Sequence, residues 1–79
     1  MASCKALLEK AKNKPKNLRF DELCALANCF GYQYRRTKGS HEIYTKPGKN
    51  PMNFQNEKGN AKPYQVRQLL DAIEESNHE

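Results

Sequence analysis

The chain holds one short run whose side chains could handle a phosphodiester: Arg36-Thr37-Lys38-Gly39-Ser40-His41. Arg36 offers a planar cationic fork and Lys38 a point charge, the two side-chain types that bind phosphate oxygens. Gly39 lets the chain turn sharply or approach a ligand closely. Ser40 can donate to a phosphate oxygen. His41 is the residue of the run whose ordinary pKa suits proton transfer near neutral pH. The same six residues also read as a basic hairpin turn with a histidine in the strand after it. Residue chemistry leaves both readings open.

The elements that must position this run follow from apolar spacing. Ala2 to Lys12 predicts a short helix with little apolar surface, packed loosely on the rest. Pro15 ends it within Asn13-Lys14-Pro15-Lys16-Asn17. Leu18 to Phe30 predicts a second helix, with Phe20, Leu23, Cys24, Ala27 and Phe30 on one face and Leu26 at its margin. Asp21 and Glu22 suit the positive end of its dipole, and Gly31 its left-handed stop. Tyr32 to Thr37 alternates Tyr32, Tyr34 and Arg36 against Gln33, Arg35 and Thr37, a strand with its aromatic face inward. The turn Lys38-Gly39-Ser40 leads into a second strand, His41 to Lys46. Ile43 and Tyr44 point to opposite faces, so the pattern alone leaves the register open. Placing Tyr44 in the core puts His41 and Ile43 together on the open face.

Pro47 to Pro51 is a turn-rich loop. Met52 and Phe54 alternate with Asn53 and Gln55 in a short third strand, and 56–61 is a polar loop. Pro63 suits the first position of a last helix with Val66, Leu69, Leu70 and Ile73 in one stripe. Residues 76–79 read as a frayed tail, and His78 within it is given no role. The fold class is therefore α+β, in the order α-α-β-β-β-α. The economical arrangement is a three-stranded antiparallel sheet with helices on one face and the other face open. We expect one domain over 1–79, with 1–17 an extension helix and linker, 18–75 the core and 76–79 the tail.

Bulk properties narrow the functional classes. A chain of 79 residues buries only about 60% of its unfolded surface, too little to enclose a deep substrate cavity. Its formal net charge of +5 favours polyanionic partners. No apolar run reaches membrane-spanning length, and the first twelve residues lack an apolar signal segment. Cys4, Cys24 and Cys29 are odd in number and not in C-x-x-C spacing. They read as small hydrophobes in a reducing cytoplasm, with neither a metal site nor a cofactor implied.

With these elements in place the chain resembles the HicA family of bacterial toxins, also described as YcfA-like mRNA interferases. The resemblance runs from about Phe20 to Glu74. It rests on Gly31-Tyr32 after the helix, on Arg36-x-Lys38-Gly39-Ser40-His41, on Tyr44 three positions after the histidine, and on Lys62-Pro63-Tyr64-Gln65-Val66-Arg67 opening the last helix. It implies a double-stranded-RNA-binding-domain-like fold, cleavage of mRNA in the cytoplasm, and neutralisation by a HicB-type antitoxin. The family's catalytic histidine carries over to His41. Many members have a second histidine next to the first, where this chain has Glu42. The segment before Phe20 is an extension that minimal members lack.

The resemblance favours a metal-independent ribonuclease with His41 as proton-transfer residue and Arg36, Lys38, Gly39 and Ser40 around the phosphate. Tyr44, Glu42 and a lysine stay open as the second proton-transfer group. The alternative is a non-catalytic RNA-binding module of the same fold, with Lys58 and Lys62 touching phosphates at the start of the last helix. Those two also read as solvated loop lysines. A third class is pure protein–protein interaction, in which an acidic partner covers His41, Lys38 and Arg36.

Overall fold

The computed structural model describes residues 3–77, with side chains through Glu75. The order is α1 (Cys4–Asn13), a 3₁₀ turn (Pro15–Asn17), α2 (Phe20–Cys29), β1 (Gln33–Lys38), β2 (His41–Thr45), β3 (Met52–Gln55) and α3 (Pro63–Asn77). The strands form one antiparallel sheet in the order β1-β2-β3. The expected α+β class and sheet are therefore present. α3 continues through Asn77, and the expected tail residues His78 and Glu79 lie outside the described residues.

The core forms where the sequence concentrates apolar side chains. Leu23, Leu26 and Ala27 of α2, Val66 and Leu69 of α3 and Phe54 of β3 are fully buried. Tyr44 joins them, its ring 5.4 Å from that of Phe54. Leu26, placed at the margin of its helix by spacing, is as buried as Leu23. Burial of one such side chain contributes about 1.5–3 kcal/mol. α3 is fastened to the outer edge of β3 by the buried Gln65. Its Oε1 accepts from the Gln55 backbone N–H at 2.8 Å and its Nε2 donates to the Tyr64 hydroxyl at 3.3 Å. An edge strand's free N–H is thereby satisfied from within the chain.

Several expectations need correction. α2 begins at Phe20, not Leu18: Leu18 is extended, and its carbonyl accepts from the Ala61 backbone N–H at 3.0 Å. Its first turn is capped by Glu22, whose Oε1 accepts from the Arg19 backbone N–H at 3.0 Å. α1 is not loosely packed. Leu7 and Ala11 belong to the buried cluster, and Lys10 Nζ donates to both Glu22 carboxylate oxygens at 2.8 and 2.9 Å. That ion pair and the Arg19 N–H hold the Glu22 carboxyl below the usual carboxylate range.

The cysteine reading holds for Cys24, which is buried and free. It fails for Cys4 and Cys29, which form a disulfide with Cα atoms 5.8 Å apart. α1 and α2 pack as an antiparallel helical hairpin, so the first turn of one meets the last turn of the other. Spacing along the chain carries no trace of that meeting.

Candidate functional site

The hairpin between β1 and β2 is the element that assembles the site. Its loop is the two residues Gly39 and Ser40. Gly39 has φ +63° and Ser40 has no positive φ, the II′ pattern that matches strand twist and demands glycine first. A Cβ at Gly39 would meet nothing within 4 Å. The glycine is needed for backbone conformation, and its surroundings are open.

The register then sorts the side chains. Tyr34 pairs with Tyr44, but the next pair is Arg36 with Ile43, followed by Thr37 with Glu42 and Lys38 with His41. Arg35 is the extra residue of a β-bulge. The bulge corrects the expected alternation of β1. Arg36 does not share the Tyr34 face; it lies with Ile43 on the face that carries His41, and Lys38 stands directly opposite His41. Tyr34 is not inward either. It leans edge-on against Tyr44 at 5.8 Å and is 51% exposed on the edge strand β1. Its hydroxyl is 2.6 Å from Thr37 Oγ1.

The open face thus brings together Arg36, Lys38 and His41, beside the turn residues Gly39 and Ser40. Sequence reasoning missed one partner. His41 Nδ1 lies 2.8 Å from Oδ1 of Asn53 on β3. An amide oxygen only accepts, so Nδ1 carries the proton in the neutral ring and Nε2 presents its lone pair to the open face. The Asn53 amide thus meets the imidazole from the neighbouring strand. The alternation Met52-Asn53-Phe54-Gln55 held the signal, since burying Phe54 forces Asn53 onto the face of His41.

Two of the three groups considered for the second proton transfer lie on the wrong side. Tyr44 is buried, and its hydroxyl donates to Glu42 Oε1 at 3.2 Å on the helix-covered face. Burial, with Cys24 and Glu42 beside it, raises the Tyr44 pKa, so it remains a protonated donor. Cys24 Sγ, 3.9 Å from the same Glu42 oxygen, is pushed up to about 11, first by burial. It is an inert thiol. A lysine remains, and Lys38 is the one opposite His41.

Lys58 and Lys62 are not brought onto the open face. Lys58 is exposed at φ +52° in the loop after β3. Lys62 is half-buried, with Nζ 3.9 Å from Glu57 Oε2. Among the described residues no group of three or more His, Cys, Asp or Glu side chains could hold a metal ion. No helix of the described residues is long and apolar enough to cross a membrane.

Comparison with curated proteins and with solved structures gave no match. The family model described as "HicA toxin of bacterial toxin-antitoxin" matches residues 20–74. That span contains the whole sheet, α2, nearly all of α3 and the hairpin with its histidine. By a match over most of its length, the chain belongs to the HicA family of bacterial toxins, and so to the toxin side of a toxin–antitoxin pair.

Proposed function

We propose that the protein is a ribonuclease that cleaves mRNA by using the RNA's own 2′-hydroxyl as nucleophile. The observation that carries the reading is the oriented imidazole: Asn53 holds the Nδ1 proton of His41, leaving Nε2 free over a cationic, open sheet face. His41 takes the proton from the 2′-hydroxyl. The 2′-oxygen attacks the adjacent phosphorus, the bond to the 5′-oxygen breaks, and a 2′,3′-cyclic phosphate forms. Positioned proton transfer of this kind contributes about 10²–10⁴-fold. Arg36 and Lys38 stabilise the charge that builds on the phosphoryl oxygens, and Ser40 with the Gly39 backbone orients the phosphate. Lys38 is also the nearest candidate to protonate the leaving oxygen. Lys58 and Lys62 bind flanking phosphates. A HicB-like antitoxin inhibits by laying acidic side chains over Arg36, Lys38 and His41.

The test is product chemistry. Cleavage should persist in a strong chelator, leave 2′,3′-cyclic or 3′-phosphate ends, and stop when the 2′-hydroxyl at the cut position is methylated. Cleavage of the methylated RNA would refute the mechanism. RNA binding without cleavage by the unsubstituted chain would favour the non-catalytic module.

A further inference from the structure

The segment before the family-matched span has no part in the site described above, yet it lines a groove beside it. Lys16 and Asn17 of the 3₁₀ turn and Arg19 at the start of α2 face Glu57, Lys58 and Asn60 of the loop after β3. They enclose an open groove of about 610 Å³. Three of these six side chains are cations. Among the described residues Lys16 and Lys58 have no carboxylate within ion-pair distance. The single carboxylate, Glu57, is the one paired with Lys62. Arg19 lies 3.7 Å from the exposed Asp21, a contact worth little in water.

The groove is rigidly joined to the active hairpin. The Ser40 carbonyl accepts from the Asn56 backbone N–H at 2.9 Å, next to His41. Asn56 Oδ1 then accepts from the Gly59 N–H at 2.7 Å. The Gly59 carbonyl accepts from the Phe20 N–H at 3.0 Å, and Arg19 bridges to Asn60. Gly59 has φ +87°, and a Cβ there would come within 3.3 Å of Arg19 Nη2. The glycine lets the guanidinium lie against the loop. A chain of short contacts therefore leads from the phosphate-holding turn to the extension.

We infer that Lys16 and Arg19, with Lys58, form a second RNA-backbone site, so that the extension binds phosphates of the strand flanking the cleaved bond. The assignment rests on the RNA reading of the open face and gives the extension a role in that reading. The cations, interleaved with the amides of Asn17 and Asn60, suit repeated phosphates and carry no base-specific readout. An acidic protein surface is the competing occupant.

The experiment uses the full chain. Binding of a 20-nucleotide single-stranded RNA is measured across a salt series in the non-cleaving His41→Ala background, with and without Lys16→Ala and Arg19→Ala together. Lys38→Ala serves as the reference for loss of one phosphate contact. Two lost contacts should flatten the slope of log affinity against log salt by about 1.4, weakening binding roughly tenfold at physiological salt. In the active chain the pair should raise KM by a similar factor and keep kcat within about twofold. Should the alanine pair lower the melting temperature, Lys16→Gln with Arg19→Gln replaces it and must give the same slope. An unchanged slope would overturn the inference, as would a fall in kcat at constant KM. So would weakened binding of polyglutamate with the RNA slope intact, which would assign the groove to an acidic protein. If the slope flattens but His41→Ala still cuts RNA, the groove stands and the catalytic reading falls.

Discussion

Reducing the Cys4–Cys29 bond removes a cross-link between positions 25 residues apart. Closing such a loop lowers the entropy of the unfolded chain, by an amount worth about 3.5 kcal/mol at 25 °C on the chain-entropy account. A chain of this length has a total stability of roughly 4–12 kcal/mol, so the bond supplies upwards of about 30% of it. Expressed as temperature, the loss is a fall in Tm of roughly 14–28 °C. The packing of Leu7 and Ala11 and the Lys10–Glu22 pair remain after reduction, so the reduced chain should still fold at 25 °C. The assay is a thermal melt followed by circular dichroism with and without reductant, beside a thiol titration of the denatured protein. Protein prepared under oxidising conditions should titrate one thiol, Cys24, before reduction and three after it. Three thiols before reduction, or equal melting temperatures, would show that the bond does not form or does not stabilise the fold. The compartment matters here, because a reducing cytoplasm would hold the bond open. Activity should therefore be measured in both states.

Asn53→Ala should lower kcat by roughly 3–10-fold, the worth of one orienting hydrogen bond, while Asn53→Asp, which keeps the acceptor, should restore most of it. Equal losses in both variants would deny Asn53 its positioning role. Glu22 has a folded-state pKa depressed first by the Lys10 hydrogen bond, so its stabilisation is complete above the unfolded pKa and lost as pH falls through the lower folded value. Stability should drop as pH falls below about 4, with a smaller drop in Glu22→Gln, checked by urea melts across pH 2–6.

Much of this arrangement was legible in the sequence because periodicity reports burial. Leu23 and Ala27, Val66 and Leu69, and Phe54 all lie where their spacing places them, whereas Tyr44 is in the core on a register that spacing left open. The hairpin was legible because Gly39 is the residue a II′ turn demands. The facing of Arg36 was not. A bulge adds one residue without any change in residue type, and every side chain beyond it changes face. Tyr34 looks like a core aromatic by alternation, yet on the edge strand it is left half exposed. The disulfide and the tight packing of α1 depend on two helices meeting antiparallel, which neither helix encodes alone. Alternation put Asn53 on the face of His41, but its contact with the histidine was readable only once the β2–β3 register was known.

If the imidazole of His41 moves the proton in RNA cleavage, the chain without it should bind RNA and cut it far more slowly. The most direct measurement is the cleavage rate of His41→Ala on a single-stranded RNA, taken with its melting curve. The side chain is half-buried at the edge of the open face, so its removal leaves no core cavity. The rate should fall by about 10²–10⁴-fold with Tm changed by only a few degrees. A normally folded His41→Ala protein that cuts RNA as fast as the parent chain would contradict that role of the imidazole.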